Sequence, residues 1–248
     1  MNNTMDLSIV IPVYNEAENL EPLLEELTGI LNQLDKTSEI ICVNDASTDD
    51  SLGILNRLAA KFPQLRILTH GINSGESAGQ ATGFRSAAGD VIITMDADMQ
   101  NDPGDIPRLL KALTGEVACV CGVRKIREDD AVRRVSSYIA NKFRNFITGD
   151  AVSDAGCTFR AIRRPVLREM IVFNGMHRFL STILRAQCYR VVEIPINHRA
   201  RHAGQSKYGI GNRLWRGILD CFAMRWYKAR AVNGNRLETN QAVDGSLL

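Results

Sequence analysis

The sequence predicts an α/β fold, in which helices flank a mostly parallel sheet and a C-terminal amphipathic helix follows. Three observations in the 248 residues support this prediction. Short β-branched runs alternate with segments of helical periodicity, polar side chains follow each run, and a basic stretch near the end has apolar residues at helical spacing. Alternating strands and helices are typical of parallel sheets, because a crossover must return the chain to the same edge.

The first half of the chain contains four predicted strands and three predicted helices. The strands cover residues 7–13, 39–43, 65–68 and 90–95. The first and third helices cover 17–34 and 77–88, and the second runs through Leu52, Leu55 and Leu58 after possible caps at residues 47–49. Right-handed crossovers between such strands give a Rossmann-like order. A fifth strand at 117–123 and a helix at 131–147 are predicted beyond them. Gly75, Gly79 and Gly83 recur every four residues, which favours close packing of the third helix over a phosphate cradle.

Two carboxylates directly follow the fourth predicted strand. Asp96 and Asp98 can project the same way, because residues i and i+2 of an extended chain share a face, and Gln100 can add a third oxygen. Such a set suits Mg²⁺ or Mn²⁺ with positions left for phosphate oxygens. An isolated D-x-D more often ends a strand in a solvated turn. Here all four strands end in polar side chains, and open parallel sheets bind ligands at that edge, so a nucleotide-diphosphate pocket is predicted.

Sequence patterns exclude several other classes. There is no G-x-G-x-x-G after the first strand and no G-x-x-x-x-G-K-[ST], which argues against dinucleotide and P-loop sites. The six cysteines lie mostly in apolar runs without a C-x-x-C pair, so we expect buried thiols in a reducing cytosol. No signal-peptide pattern opens the chain and no apolar run reaches the length of a membrane span, so we expect a cytoplasmic protein.

The net charge of +2 conceals an acidic first part and a basic second part. Residues 1–110 carry 6 Lys/Arg and 17 Asp/Glu, whereas residues 111–248 carry 24 and 11. This asymmetry predicts one half that holds a metal and another that meets anions. The alternative is that two solvated faces simply attract each other.

Five segments in order resemble family 2 glycosyltransferases of the dolichyl- and polyprenyl-phosphate sugar synthase type. They are VIPVYNE at 10–16, VNDASTD at 43–49, DADMQNDP at 96–103, SDAGCTFR at 153–160, and EIPI at 193–196 with GQSKY at 204–208. The resemblance covers residues 7–231, and its one visible departure is Asn44-Asp45 in place of paired aspartates. It implies a GT-A-like domain over residues 1–208. A basic amphipathic helix over 209–231 and a polar, disordered tail over 232–248 are expected to follow.

The resemblance also implies roles for individual residues. Pro12, Tyr14 and Glu16 would line the nucleotide pocket, Asp45 would contact the donor base, and Asp96, Asp98 and Gln100 would hold Mg²⁺ or Mn²⁺ on the donor diphosphate. Arg124, Arg133 and Ser137 match positions that receive a lipid phosphate, and Arg201, Ser206 and Lys207 match a basic element that closes over the phosphates. The residues predicted to be catalytic are Asp98, Arg124, Arg133 and Asp154.

The implied reaction is inverting transfer of a sugar from a nucleotide diphosphate to a polyprenyl phosphate. A phosphate monoester has its second pKa at about 6, so this acceptor needs positioning and charge stabilisation but no general base. A saccharide hydroxyl acceptor stays open as an alternative and would need a base. Asp154 is the best candidate, although it is equally suited to orient Arg124 or a backbone turn. The second alternative is a non-catalytic module that binds nucleotide sugars or anionic membranes. No nucleic-acid partner is expected.

The basic second half offers two helix surfaces. On the helix predicted at 131–147, we expect Lys142 and Arg144 to be solvated. Residues 211–231 place six apolar side chains on one stripe: Leu214, Trp215, Ile218, Leu219, Phe222 and Trp226. Such a helix can lie in a membrane interface, pack onto its own domain or bind a partner. We expect peripheral contact with the cytoplasmic face of a membrane or with a separate membrane subunit.

Overall fold

The computed structural model describes residues 5–124, 131–168, 170–200 and 211–231, without the side chains of 131–138 and 211–216. The strands are β1 (Leu7–Val13), β2 (Ser38–Asn44), β3 (Leu65–Thr69), β4 (Val91–Thr94), β5 (Val117–Arg124), β6 (Arg160–Arg163) and β7 (Arg190–Ile196). The helices are α1 (Ala17–Leu31), α2 (Ser51–Lys61), α3 (Glu76–Ser86), α4 (Ile106–Ala112), α5 (Ala131–Thr148), α6 (Leu180–Ala186) and α7 (Gly211–Arg230).

The seven strands form one mixed sheet in the order β3-β2-β1-β4-β6-β5-β7. β1, β2, β3 and β4 pair in parallel, and β5 and β7 also pair in parallel. β6 is antiparallel to both of its neighbours, β4 and β5. The first half therefore has the predicted Rossmann-like order, and the mostly parallel sheet is confirmed.

Apolar side chains pack on both faces of the sheet. Along β1, Ile9 and Ile11 enter one core with the leucines of α1 and α2, whereas Val10 enters the other with α3 and α6. Successive residues of a strand point to opposite faces, so a strand covered on both sides must be apolar throughout. This is why the run at residues 7–13 predicts its strand without a residue of error.

α3 lies unusually close to β1, as the glycine spacing predicts. A Cβ at Gly83 would lie 2.2 Å from Cγ1 of Val10, and one at Gly79 would lie 2.9 Å from Cβ of Pro12. Gly75 precedes α3 with a φ of +86°, a conformation that favours glycine. The close-packing prediction is confirmed for Gly79 and Gly83.

One expectation for the basic half is wrong. Lys142 is exposed as predicted, but Arg144 is buried beneath α6. Its guanidinium donates to Oγ1 of Thr182 and lies 4.9 Å from the ring centroid of Phe179. Arginine can cover apolar surface with its stem while its head finds acceptors, and helical periodicity alone cannot reveal which cation does so.

Three smaller findings concern the end of α1, the cysteines and the character of the helices. α1 ends at Leu31, three residues before the predicted end. Five cysteines are buried and Cys188 is exposed, and none forms a disulfide among the described residues. In the part of the chain that the structure describes, no helix combines the length and the apolar character needed to cross a membrane.

Candidate active site

The carboxyl ends of β2, β1 and β4 lie side by side, and each is followed by a residue in the left-handed region. Asn15 and Ala46 have φ of 54° and Met99 has φ of 61°. Such conformations cost about 1–3 kcal/mol each and cluster where a function requires a particular loop shape. All three lie beside residues that the sequence predicts to bind the donor.

Asn15 links the loops that follow β1 and β2. Its Oδ1 accepts the N–H of Thr48 at 2.7 Å, and its own N–H donates to Oγ of Ser47 at 3.0 Å. Asp49 strengthens the link, since its Oδ2 accepts the N–H of Ala17 at 3.2 Å. The two loops therefore form one unit. Sequence reasoning missed this role, although the short polar residues of both segments were a signal.

Asp45 is buried and holds the loop between β3 and α3. Its Oδ1 accepts the N–H of Ser74 at 2.9 Å and lies 2.7 Å from Nδ1 of His70, and its Oδ2 accepts the N–H of Gly75 at 2.7 Å. The carboxylate thus fixes the loop beside the predicted nucleotide pocket. A carboxylate has about four acceptor positions, so a base contact still has room and stays a prediction.

The other predicted nucleotide-binding residues lie at the same edge of the sheet. Pro12, Tyr14 and Glu16 are all partly buried. Oε2 of Glu16 accepts from Nδ2 of Asn19 at 2.7 Å, which orients this carboxylate at the start of α1. Their contact with a nucleotide stays a prediction.

Asp96 and Asp98 lie beyond the end of β4, close enough for the charge of Asp98 to act on the pKa of Asp96. Burial raises the pKa of Asp96 to about 6, and the charge of Asp98 acts in the same direction. A hydrogen bond with Thr158 and the charges of Arg124 and Arg160 oppose this rise. Asp98 is only 8% exposed, and its Oδ1 accepts the N–H of Gln100 at 3.2 Å. The loop therefore concentrates negative charge that its surroundings compensate only in part.

These residues fit a divalent cation. The high pKa of Asp96 marks a place where a positive charge would be favourable, and Oδ1 of nearby Asn101 is buried without a hydrogen-bond partner among the residues that the structure describes. Within the described residues, no cluster of three or more His, Cys, Asp or Glu side chains forms a complete metal site. Two carboxylates with an amide oxygen leave positions for water and phosphate, as Mg²⁺ and Mn²⁺ require.

Across the edge of the sheet, Asp154 holds Arg124 in a bidentate ion pair. Nε of Arg124 donates to Oδ2 at 2.6 Å and Nη2 donates to Oδ1 at 2.8 Å. Burial acts to lower the pKa of Arg124, but the hydrogen bonds and the charge of Asp154 help to raise it above its usual value. This arginine therefore stays charged. Asp154 also anchors a turn, since its carbonyl accepts the N–H of Cys157 at 3.3 Å. The predicted contact of Asp154 with Arg124 is present and disfavours a general base, and a catalytic role of Asp154 stays a prediction.

Sequence reasoning missed Arg160, which is only 2% exposed. Its Nη2 donates to the carbonyl oxygens of Cys157 at 2.7 Å and His177 at 2.9 Å, while Nε and Nη1 have no hydrogen-bond partner among the described residues. Its charge lowers the pKa of Asp96. The final arginine of the SDAGCTFR segment was the only signal.

Several predicted site residues cannot be placed. Arg133 and Ser137 belong to α5, but their side chains lie outside the described residues. Arg201, Ser206 and Lys207 also lie outside the described residues. The structure therefore brings together the predicted donor and metal residues with Arg124 and Asp154, and the rest of the acceptor site stays a prediction.

Comparison with known proteins identifies one family and relatives with related names. The family described as glycosyl transferase family 2 matches residues 8–171. An undecaprenyl-phosphate 4-deoxy-4-formamido-L-arabinose transferase of Edwardsiella ictaluri is 37% identical over 233 residues, which cover 92% of this chain and 71% of that protein. A dodecaprenyl-phosphate galacturonate synthase of Rhizobium johnstonii is 34% identical over 235 residues, 92% of this chain and 69% of that protein. Several others with the first name are matched over 60–65% of their length.

Solved structures share the fold at low sequence identity. Glucosyl-3-phosphoglycerate synthase from Mycobacterium tuberculosis, in complex with Mn²⁺, UDP and glucosyl-3-phosphoglycerate, has a TM-score of 0.67 and 17% identity, covering 93% of this chain and 82% of that one. The mannosyltransferase PcManGT from Pyrobaculum calidifontis, in complex with GDP-Man and Mn²⁺, has a TM-score of 0.61 and 19% identity, covering 92% and 65%. The GT-A-like architecture is thereby confirmed.

Proposed function

Since this chain belongs to glycosyl transferase family 2, we propose that it moves a sugar, with inversion, from a nucleotide diphosphate to a polyprenyl phosphate. One observation supports this most directly. A carboxylate pair suited to the donor's metal and a fixed arginine suited to the acceptor's phosphate lie at the same edge of the sheet. The names of the two relatives supply the acceptor class, because both include a polyprenyl phosphate.

Asp96, Asp98 and Gln100 are the residues that would hold the cation. When bound, Mg²⁺ or Mn²⁺ would stabilise the charge that develops on the leaving nucleoside diphosphate. The two similar structures described above contain Mn²⁺, which supports a divalent cation without choosing between Mg²⁺ and Mn²⁺. The polar loops after β1 and β2 would hold the nucleoside.

Arg124 would bind the acceptor phosphate opposite the donor. A phosphate oxygen attacks the anomeric carbon as the bond to the nucleoside diphosphate breaks, and inversion follows from a single displacement. The acceptor is already anionic near neutral pH, so no side chain needs to remove its proton. Asp154 acts as a positioning residue, because it fixes Nε and Nη2 of Arg124. The remaining guanidinium nitrogen of Arg124 is left to bind the phosphate.

A donor screen tests this proposal. UDP- and GDP-sugars are incubated with Mn²⁺ and a short polyprenyl phosphate, and release of nucleoside diphosphate is measured. We expect release that depends on the polyprenyl phosphate and falls about 10²- to 10³-fold in Asp98→Asn. Asp90→Asn, a change in an exposed carboxylate, is the matched control. Release that requires a saccharide instead would support the hydroxyl-acceptor alternative, and binding without turnover would support the non-catalytic module.

The position of Arg124 can be tested separately. Asp154→Asn should lower turnover about 10- to 100-fold by loosening a charged hydrogen-bond pair, while binding of Mn²⁺ and UDP stays near the wild-type level. Equal loss of donor binding would contradict the positioning role. Loss of turnover with a saccharide acceptor only would favour Asp154 as a base.

We also propose that α5 and α7 contact an anionic membrane surface. Six large apolar side chains on these two packed helices are 44–83% exposed: Ile139, Phe143, Phe146, Leu219, Phe222 and Trp226. The sequences of the two helices include nine Lys/Arg and one acidic residue, Asp220. Leu219, Phe222 and Trp226 belong to the predicted apolar stripe of α7, so the stripe faces outward at these residues. Apolar side chains among cations are typical of helices that lie on anionic lipid.

Vesicle sedimentation tests the membrane contact. With vesicles of phosphatidylglycerol and phosphatidylcholine, Phe146→Ser combined with Trp226→Ser should weaken binding about tenfold or more, because two large apolar side chains no longer enter the interface. Ile72→Ser is the matched control, since Ile72 is 76% exposed but lies outside α5 and α7. Equal loss in the control, or binding that does not fall with salt, would contradict the proposal.

A further inference from the structure

Residues 197–199 form an extension of β7 that lies along the loop carrying the two carboxylates. We call residues 96–102 the acidic loop and residues 197–199 the β7 extension. An isolated antiparallel bridge joins Asn101 to His198, and the N–H of Arg199 donates to the carbonyl of Gln100 at 2.9 Å. The β7 extension therefore holds the far side of the acidic loop as a short additional strand would.

The side chain of Gln100 is held by the same extension. Its Nε2 donates to the carbonyl of Arg199 at 3.4 Å and lies 3.5 Å from Nε2 of His198. An amide that donates through its nitrogen keeps its oxygen available as a ligand. The contacts thus orient the amide predicted to be the third ligand of the cation.

Arg199 ties this arrangement to the body of the domain. Its Nη1 and Nη2 donate to the two carboxylate oxygens of Glu26 on α1 at 2.8 and 2.7 Å. Nη2 also donates to Oδ1 of Asp102, in the acidic loop, at 2.7 Å. One guanidinium consequently bridges α1 and the acidic loop, a geometry that a lysine ammonium cannot reproduce in full.

We propose that Arg199 is a positioning residue for the divalent cation, because it clamps the acidic loop between α1 and the β7 extension. The inference rests on the proposed metal site. Met99 holds the loop in a left-handed conformation with φ of 61°, so the loop relaxes unless its neighbours prevent it. Partners that orient metal ligands commonly change metal affinity about 10- to 100-fold when removed.

The test measures Mn²⁺ binding directly, from the electron paramagnetic resonance signal of free Mn²⁺, with and without UDP. We expect Arg199→Ala to raise the dissociation constant of Mn²⁺ about tenfold or more, and Arg199→Lys to recover part of the loss. Turnover at saturating Mn²⁺ should stay within about twofold of wild type, a split that general destabilisation would not produce. Arg57→Ala is the matched control, since Arg57 on α2 forms an exposed ion pair with Asp50.

A second variant keeps the test decisive if Arg199→Ala fails to fold. Glu26→Gln leaves Arg199 in place and removes only its anchor on α1, so it should weaken Mn²⁺ binding by a smaller factor in a folded protein. Wild-type affinity for Mn²⁺ in folded Arg199→Ala would overturn the inference and leave the proposed function intact. If Arg199→Ala does not fold, wild-type affinity in both single variants, Glu26→Gln and Arg199→Lys, would do the same. If the wild-type protein binds no Mn²⁺ with UDP, the proposed metal site fails, and the inference fails with it.

Discussion

At the scale of single residues, Asp96 is a carboxylate whose pKa is raised by burial. Burial and the neighbouring Asp98 raise its pKa from 3.8 to about 6 in the metal-free protein. Between these pH values the folded state holds a proton that the unfolded chain has lost. The resulting stability is fully present below about pH 4 and is lost as pH rises through 6, since an ionised Asp96 then costs free energy.

Asp96→Asn should therefore stabilise the metal-free protein while abolishing Mn²⁺ binding. At pH 7.5 in EDTA, we expect an increase of about 1–3 kcal/mol in the free energy of unfolding, measured with urea. The gain should disappear at pH 4, where the wild-type carboxyl is protonated. Asp90→Asn should change little at either pH. A destabilised Asp96→Asn protein at pH 7.5 would contradict this account of the charge.

Individual residues of the site differ in whether the sequence could predict them. The spacing of Asp96, Asp98 and Gln100 follows from extended geometry, so it can be derived from neighbouring positions alone. Arg160 and Arg199 could not be found in this way. Each acts through residues distant in the chain, and only folding brings His177 to the first and Glu26 to the second.

At the scale of elements, the contact between α3 and β1 fixes α3 beside the predicted nucleotide pocket. The missing side chains of Gly79 and Gly83 let this helix approach Pro12 and Val10. α3 also begins beside the loop that Asp45 holds. A change in the packing of α3 should therefore reach both stability and nucleotide binding.

Gly83→Ala should destabilise the protein by about 1–3 kcal/mol, because the new Cβ overlaps Val10 and the helix must move outward. Gly29→Ala is a matched change within α1, where an added Cβ meets nothing within 4 Å, and it should stabilise by about 0.5–1 kcal/mol through helix propensity. Urea denaturation of both variants checks the difference. Equal effects would show that packing against β1 is not the reason for the glycine.

At the scale of the whole molecule, acidic and basic parts meet at one edge of the sheet. The acidic first part supplies the two carboxylates that follow β4 and the loops after β1 and β2. The basic second part supplies Arg124 and the cationic helices α5 and α7. The proposed transfer between two phosphate-bearing substrates needs acidic and basic groups in one site, so the net charge alone is uninformative.

Binding of donor analogue should stabilise the whole domain, since its ligands come from several loops. At a hundredfold excess over the dissociation constant, Mn²⁺ with UDP should add about 2.7 kcal/mol. For a chain of this length that corresponds to a rise of about 5–10 °C in Tm, measured by differential scanning fluorimetry. EDTA should remove the rise, and Asp98→Asn should lack it. A rise that survives EDTA would argue against a metal-dependent donor site.

The sequence by itself determined the alternating elements of the first half, the carboxylates after β4 and the apolar stripe of α7, but not the direction in which that stripe faces. Each depends on periodicity or on residues close together in the chain. Only the tertiary structure decided that β6 runs antiparallel, that Arg144 is buried, and that Asp154 forms an ion pair with Arg124. β6 is four residues long with an arginine at each end, so it carries no pattern, and the other contacts join residues far apart in the chain. Such pairings are selected by packing in three dimensions, which no local pattern encodes.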